Sequence, residues 1–117
     1  MGRTVVIVDD HEQFRRSARK LLELEGFDVI GEAATGSDGI AEVERLRPAL
    51  ALVDVVLPDI SGFEVAERVG AATAVILVSS RGRNEVGHRV ERSGALGFVP
   101  KDRLSGSALT AILNEAR

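Results

Sequence analysis

Three short runs of apolar residues, each rich in β-branched side chains, constrain the fold of this chain more than any other feature. They read TVVIV at Thr4–Val8, ALALVDV at residues 49–55 and AVILVS at Ala74–Ser79. Their length and composition are typical of β-strands. Because the apolar residues are continuous rather than alternating, we expect strands buried on both faces, as parallel strands between two helical layers are.

Two further segments, FDVIGEA at residues 27–33 and LGFVP at residues 96–100, complete five predicted strands. Strands that alternate with helices predict an α/β fold of the (βα)5 type, with a doubly wound, five-stranded parallel sheet between two helical layers. Apolar residues at helical spacing follow the strands. They are Phe14, Ala18, Leu21 and Leu22; Ile40, Val43 and Leu46; Phe63, Ala66 and Val69; and Leu109, Ile112 and Leu113.

The fourth helical segment, RNEVGHRVERSG at residues 83–94, has the poorest apolar stripe. Only Val86 and Val90 form that stripe, and Gly87 inside a helix costs about 1 kcal/mol relative to alanine. We therefore expect a marginal, mobile helix. The third helix should be short, because only residues 71–73 separate it from the next strand.

The composition fits a single domain that occupies residues 1–117, with a core at about residues 4–116. The absence of cysteine excludes disulfides and thiolate metal sites and favours a cytoplasmic protein. No apolar run has the length of a signal-peptide core or a membrane span. A formal charge of −3 and only 3% aromatic residues argue against direct nucleic-acid binding.

Polar side chains follow four predicted strands at the point where each strand ends. Ligands of open parallel sheets bind at this edge. Carboxylates that meet there repel one another unless they share a cation, and oxygen ligands favour a hard divalent ion such as Mg²⁺. The residues are Asp9 and Asp10 after the first strand, Asp54 in the third, Ser79 and Ser80 after the fourth, and Lys101 after the fifth.

Asp54 interrupts an otherwise apolar strand, where an unpaired charge would be expensive. A carboxylate beside Mg²⁺, with a lysine and a hydroxyl nearby, can attack a phosphoryl group and form an aspartyl phosphate. Asp54 is therefore the predicted nucleophile.

Four motifs in this order resemble the receiver domain of two-component response regulators of the chemotaxis-Y-like type. They are VDD at residues 8–10, DVVLPDISG at residues 54–62, the serine pair that closes the fourth strand, and GALGFVPK at residues 94–101. The resemblance covers residues 4–116. It implies a flavodoxin-like fold and a signalling domain that receives a phosphoryl group from a histidine kinase or phosphotransfer protein. Such a domain is not an enzyme that acts on external substrates.

The resemblance also implies the roles of the acidic residues. Asp54 would take the phosphoryl group. Asp10, Asp54 and the backbone carbonyl of Val56 would ligate Mg²⁺, and Asp9 would act through bound water.

Around these residues, the resemblance implies that Lys101 and Ser79 contact the phosphoryl oxygens and that Ser79 draws in the loop after the fourth strand. Phe98 occupies the switch position and would move inward with that loop. Output would come from the face made by the fourth helix, fifth strand and fifth helix. Relatives often have proline after the lysine, across a cis bond, whereas Pro100 precedes Lys101 here, so the isomer of the Val99–Pro100 bond stays open.

Val56 and Arg81 occupy positions that tune the loss of the phosphoryl group in receivers. An apolar Val56 cannot orient water, so we predict a long-lived phosphoryl state. Arg81 could also shield the phosphoryl group sterically.

Two other function classes compete with the phosphoacceptor. An aspartate-nucleophile phosphohydrolase needs an Asp-x-Asp pattern, and Val56 stands where its general acid would be. A receiver-fold interaction module that works without phosphorylation usually lacks an acidic, hydroxyl or lysine residue, whereas this chain retains them all.

Each candidate residue also has a simpler interpretation. Asp9 and Asp10 could form a turn or cap a helix, and Lys101 could be an ordinary surface lysine. Because all three residues are predicted to lie at the same edge of the sheet, we favour the phosphoryl-accepting site over these simpler interpretations. Ser80 stays open between a role in that site and an ordinary loop or helix-cap residue. We expect His11 to be exposed or to make local hydrogen bonds rather than to bind metal or phosphate.

The residues leave open the kinase, the input signal and the output partner. Both a stand-alone receiver and the amino-terminal domain of a longer regulator are compatible with the chain. The segment GFVPKD, residues 97–102, resembles receivers joined to helix-turn-helix output domains. Homodimer formation on phosphorylation, through the fourth and fifth helices or another face, is a further expectation.

Overall fold

In the computed structural model, which describes residues 2–80 and 89–115, the chain forms a five-stranded parallel sheet. The order across the sheet is β2-β1-β3-β4-β5, so the chain changes its direction of winding after β2. This is the doubly wound, flavodoxin-like arrangement that the sequence predicts. The strands are β1 (Thr4–Val8), β2 (Asp28–Ala33), β3 (Leu50–Asp54), β4 (Ala74–Ser79) and β5 (Gly97–Pro100).

Helices cover both faces of the sheet and complete three layers. Helices α1 and α5 pack on one face, and α2 and α3 pack on the other. The described helices are α1 (Glu12–Leu24), α2 (Gly36–Leu46), α3 (Gly62–Val69), α4 (Arg89–Arg92) and α5 (Gly106–Glu115), with a 3-10 turn at Lys101–Arg103.

Strand β1 shows why the apolar runs are continuous. Val5 and Ile7 pack in the core under α1 and α5, whereas Val6 and Val8 pack in the core under α2 and α3. All four are fully buried. Each such side chain stabilises the fold by about 1.5–3 kcal/mol relative to an exposed one. A polar residue on either side of the strand would therefore be destabilising.

The element boundaries differ slightly from the predictions. The amide of Phe27 donates to the carbonyl of Leu22 at 2.9 Å, so Phe27 closes the end of α1 and β2 begins one residue later. The predicted short third helix is confirmed, because α3 ends at Val69.

Of the predicted fourth helix, residues 83–88 lie outside the described residues, so its marginal packing and mobility stay a prediction. No cis peptide bond occurs among the described residues, and Val99–Pro100 is therefore trans.

Helix α2 begins against a carboxylate from the loop after β3. Asp59 accepts hydrogen bonds from the amides of Gly36 at 2.7 Å and Ser37 at 2.9 Å. Free amides at a helix start carry partial positive charge, so they favour the ionised carboxylate and lower the pKa of Asp59. The contact ties the loop that follows Asp54 to the first turn of α2.

Replacing Asp59 with alanine is expected to lower the thermal midpoint by a few degrees at pH 7, because two helix-start amides lose their acceptor. The folded pKa is depressed below the usual 3.8. The stabilisation is therefore complete above 3.8 and is lost as pH falls through the folded value. Thermal melts of Asp59→Ala between pH 7 and pH 2, beside the exposed control Asp102→Ala, measure this. An equal effect at all pH values would contradict the capping role.

Candidate functional site

The central strands place two carboxylates side by side at the carboxyl edge of the sheet. Val8 pairs with Val53 in the parallel register of β1 and β3, so Asp9 and Asp54 follow at the same level. Asp9 is 0% exposed and Asp54 is 3% exposed. Asp10 follows directly and is exposed to solvent. The structure therefore brings the three predicted acidic residues together.

Lys101 places a positive charge between the two buried carboxylates. Its Nζ lies 2.6 Å from Asp9 Oδ2 and 3.2 Å from Asp54 Oδ2, and its side chain is only 14% exposed. The same Nζ lies 4.4 Å from the centre of the Phe14 ring, within the range of a cation–π contact. Lys101 thus offsets much of the repulsion between the two carboxylates.

Asp9 is held in place through its backbone and one carboxylate oxygen. Its amide donates to the carbonyl of Ala33 at 3.0 Å, and its carbonyl accepts from Arg15 Nη1 at 2.6 Å. Asp9 Oδ1 accepts from the amide of His11 at 2.8 Å. Oδ2 is buried and has no hydrogen bond among the described residues, although it lies beside the Lys101 ammonium. This oxygen therefore retains capacity to accept a further positive partner.

Burial raises the pKa of Asp54 above its usual value, and the nearby charge of Asp9 raises it further. Lys101 acts in the opposite direction, as does the backbone amide of Val56, which donates to Asp54 Oδ1 at 3.3 Å. The raised pKa means that the charged form of Asp54 is less stable here than in water. A bound cation would restore the preference for the ionised carboxylate.

The loop after β3 starts from a fixed geometry. The amide of Val55 donates to the carbonyl of Val78 at 2.9 Å, and the amide of Gly62 donates to the carbonyl of Val55 at 2.8 Å. A side chain at Gly62 would collide with the carbonyl of Asp54, so this close approach requires glycine. Val56 lies within this loop and is 55% exposed to solvent.

Two other predicted site residues, Ser79 and Phe98, are buried. Ser79 is buried at the end of β4 and pairs with Pro100 in the register with β5. Phe98 is buried in the core under α2 and α3, so its ring points inward in this structure. Arg81 lies outside the described residues. The proposed contacts of Ser79 and Arg81 with a phosphoryl group therefore stay predictions.

His11 lies closer to the acidic residues than the sequence indicated. It makes the expected local hydrogen bond, with Nδ1 3.0 Å from Asp9 Oδ1, and it is exposed to solvent. However, the same Nδ1 also lies 3.3 Å from Asp10 Oδ1 and 4.0 Å from Asp54 Oδ2. Its position directly after the two aspartates was the available signal.

The donors fit a divalent cation. One ligand atom from each of Asp9, Asp10, His11 and Asp54 can be chosen so that all lie within 4.8 Å of one another. Three of these donors are carboxylates, which suit Mg²⁺, and the Lys101 ammonium beside Asp9 and Asp54 supplies one positive charge against their three negative charges. The residues therefore form an acidic pocket suited to such an ion.

A family model described as the response regulator receiver domain matches residues 5–114. The chain belongs to the response regulator receiver family. It is a receiver domain of the kind found in two-component response regulators, as its motifs predict. The receiver contains no helix, among its described residues, with the length and apolar character needed to cross a membrane.

Two curated relatives show how the receiver compares with longer proteins. It is 36% identical over 104 residues to the virulence-factor transcription regulator BvgA of Bordetella pertussis, covering 86% of this chain and 50% of BvgA. It is 30% identical over 112 residues to the response regulator UvrY of Escherichia coli, covering 92% of this chain and 51% of UvrY. The chain thus spans about half the length of these relatives.

Among solved structures, the receiver resembles the signal receiver domain of the response regulator NarL from Mycobacterium tuberculosis. The two have a TM-score of 0.87 and 30% sequence identity, and the match covers 98% of this chain and 96% of that one. The receiver therefore shares its fold with a signal receiver domain over almost its full length.

Proposed function

We propose that this receiver accepts a phosphoryl group on Asp54 in a Mg²⁺-dependent reaction and relays the resulting change to an output partner. The observation that carries the proposal is the position of the Asp54 carboxylate. It is buried at the edge of the sheet, 3.2 Å from Lys101, beside the acidic residues that follow β1. A buried carboxylate in such surroundings is a candidate nucleophile.

In the proposed reaction, an oxygen of Asp54 attacks phosphorus, and the bond from phosphorus to the donor breaks. For a phosphohistidine donor the leaving group is the imidazole nitrogen. Lys101 would then pair with an oxygen of the transferred group, since its ammonium already contacts the attacking carboxylate. Ser79 would donate its hydroxyl to another such oxygen from the end of β4.

Asp10, Asp54 and the backbone carbonyl of Val56 would hold Mg²⁺, with Asp9 acting through water. Bound Mg²⁺ would neutralise charge that develops on the transferring oxygens. The raised pKa of Asp54 gives the ion a second role, because a nearby cation favours the ionised and nucleophilic carboxylate. The reaction should therefore depend on divalent metal.

The relatives support the kinds of partner proposed. BvgA is named as a transcription regulator and UvrY as a response regulator. We infer that a histidine kinase or phosphotransfer protein supplies the phosphoryl group. An output domain, a partner protein or a second copy of the receiver would then read the face made by α4, β5 and α5, where Phe98 is buried.

Intact-mass spectrometry after incubation with acetyl phosphate and Mg²⁺ tests the proposal. Wild type should gain one phosphoryl group, whereas Asp54→Asn and a chelator-treated sample should gain none. Because acetyl phosphate supplies the group directly, the result does not depend on knowing the kinase. A gain that persists in Asp54→Asn would reject Asp54 as the acceptor. No gain with any phosphodonor would favour an interaction module that works without phosphorylation.

Asparagine at position 56 is expected to shorten the lifetime of the phosphoryl group by about tenfold. An amide can orient the attacking water, which the exposed valine cannot, and about 1.4 kcal/mol of transition-state stabilisation corresponds to this factor. Loss of the phosphoryl group from Val56→Asn and wild type is followed by mass spectrometry after donor removal. Leu24→Asn, which replaces another exposed apolar residue away from the site, is the control. Faster loss from wild type would contradict the prediction.

A further inference from the structure

His11 begins α1 without capping it through its side chain. Its backbone is extended, with φ −91° and ψ 103°, and its ring makes no hydrogen bond to the first turn of the helix. The ring instead turns toward the carboxylates at the sheet edge, while 65% of the side chain stays exposed. An imidazole is thus presented to the acidic pocket from its solvent side.

The spacing of the Nδ1 atom matches that of a metal ligand. An octahedral ion with bonds of about 2.1 Å separates neighbouring ligands by about 3.0 Å and opposite ligands by about 4.2 Å. Nδ1 lies 3.3 Å from Asp10 Oδ1, which suits neighbouring ligands. Its hydrogen bond to Asp9 Oδ1, at 3.0 Å, holds the ring at this edge of the pocket. Nδ1 lies 4.0 Å from Asp54 Oδ2, which approaches the separation of opposite ligands.

The chemistry of the donors then selects the kind of ion. Mg²⁺ prefers oxygen ligands and gains little from an imidazole, whereas first-row ions such as Ni²⁺, Cu²⁺ and Zn²⁺ bind imidazole nitrogen well. We propose that His11 ligates a divalent first-row transition ion through Nδ1, beside Asp10 and Asp54, so that the receiver binds such an ion more tightly than Mg²⁺. The inference rests on the proposed function only in placing the metal in the same acidic pocket.

The backbone around His11 is held by hydrogen bonds that do not involve the ring, so the imidazole can be removed without disturbing the turn. The amide of His11 donates to Asp9 Oδ1 at 2.8 Å, and its carbonyl accepts from the amide of Arg15 at 3.1 Å. Neither bond involves the imidazole. His11→Ala should therefore keep the turn between β1 and α1 and remove only the ring, with its metal-binding nitrogen and its hydrogen bond to Asp9 Oδ1. His88→Ala, at the other histidine of the chain, is the matched control.

Pulsed electron paramagnetic resonance of the tag-free protein loaded with Cu²⁺, an ion that favours imidazole nitrogen, detects a bound imidazole directly through its ¹⁴N nuclei. Wild type and His88→Ala should show ¹⁴N modulation, and His11→Ala should lose it. Calorimetric titration provides a second measurement. His11→Ala should bind Ni²⁺ about tenfold or more weakly than wild type, and its Mg²⁺ affinity should change by less than about threefold.

The absence of ¹⁴N modulation in wild type, or an unchanged Ni²⁺ affinity in His11→Ala, would overturn the proposal. Labelling of wild type by acetyl phosphate with Mg²⁺ separates this inference from the proposed function. Successful labelling without nitrogen coupling would reject the role of His11 and leave the phosphoacceptor in place. Nitrogen coupling without labelling would support the metal site and count against phosphorylation.

Discussion

Replacing Lys101 with methionine is expected to lower the free energy of unfolding by about 3 kcal/mol at neutral pH without divalent metal. The ammonium contacts Asp9 Oδ2 and Asp54 Oδ2, and both carboxylates are almost completely buried. Removing one partner of a buried ion pair leaves uncompensated charge, which typically destabilises by about 3–5 kcal/mol. Methionine keeps an apolar stem beside Phe14, so most of the loss should come from charge.

Urea denaturation followed by circular dichroism measures this difference. Lys20→Met is the matched control, because Lys20 is the other lysine of the chain and is exposed on α1. The control should change stability by no more than about 0.5 kcal/mol. Mg²⁺ should narrow the gap between Lys101→Met and wild type, since a bound cation can neutralise the same carboxylates. A change below about 1 kcal/mol without metal would mean that the carboxylates do not depend on the lysine.

Asp54→Asn should act in the opposite direction and raise the thermal midpoint by several degrees in metal-free buffer at pH 7. Burial and the charge of Asp9 raise the pKa of Asp54, so its ionised form is less stable in the folded protein than in the unfolded chain. An amide of the same shape removes that penalty. Lys101 keeps an anionic partner, because Asp9 Oδ2 lies 2.6 Å from its Nζ. For a domain of this size, each 1 kcal/mol shifts the midpoint by roughly 4 °C.

The direction of the pKa shift also fixes the pH dependence. The unfolded carboxyl titrates near its usual value of 3.8, and the folded one titrates above it. The destabilisation by Asp54 is therefore complete above the folded pKa and disappears as pH falls through that value toward 3.8. Thermal melts of wild type and Asp54→Asn across this range should converge at the acid end.

Two controls distinguish the effect from a general loss of charge. Asp102→Asn, at an exposed carboxylate, should leave the midpoint almost unchanged. Saturating Mg²⁺ should stabilise wild type more than Asp54→Asn and so reduce or reverse their difference. A lower midpoint for Asp54→Asn in metal-free buffer would show that its hydrogen bonds outweigh the repulsion.

The two substitutions should also be coupled. In an Asp54→Asn background, Lys101→Met leaves only one buried carboxylate without its cation, so the loss of stability should be smaller than in wild type. A double-mutant cycle on these residues measures the interaction. Additive effects would mean that Lys101 acts mainly through Asp9, to which its ammonium is closer.

Most of the fold could be predicted because burial on both faces leaves a simple pattern in the sequence. Val5 through Val8 are all fully buried, and that is why their run is continuous. The first residues of β2 and β5 were less predictable. Whether Phe27 starts a strand or closes a helix depends on a hydrogen bond to Leu22, which its side chain does not encode.

The candidate site likewise contains residues that the sequence could place and one that it could not. Asp9, Asp54 and Lys101 could be placed together from the sequence, because the carboxyl ends of parallel strands meet at one edge. The position of the His11 ring could not be derived, since a histidine after a strand can turn toward solvent or toward the site. Only the folded backbone brings its Nδ1 within 4.0 Å of all three carboxylates.

By itself, the sequence determined that five apolar strands alternate with helices and that charged residues interrupt the strands at one end. These properties are local, because they follow from the burial and polarity of neighbouring residues. The tertiary structure alone decided that Asp59 meets the first turn of α2, and how closely Lys101 approaches the two buried carboxylates. Such contacts join loops far apart in the chain, and their distances depend on how the helices and strands pack together.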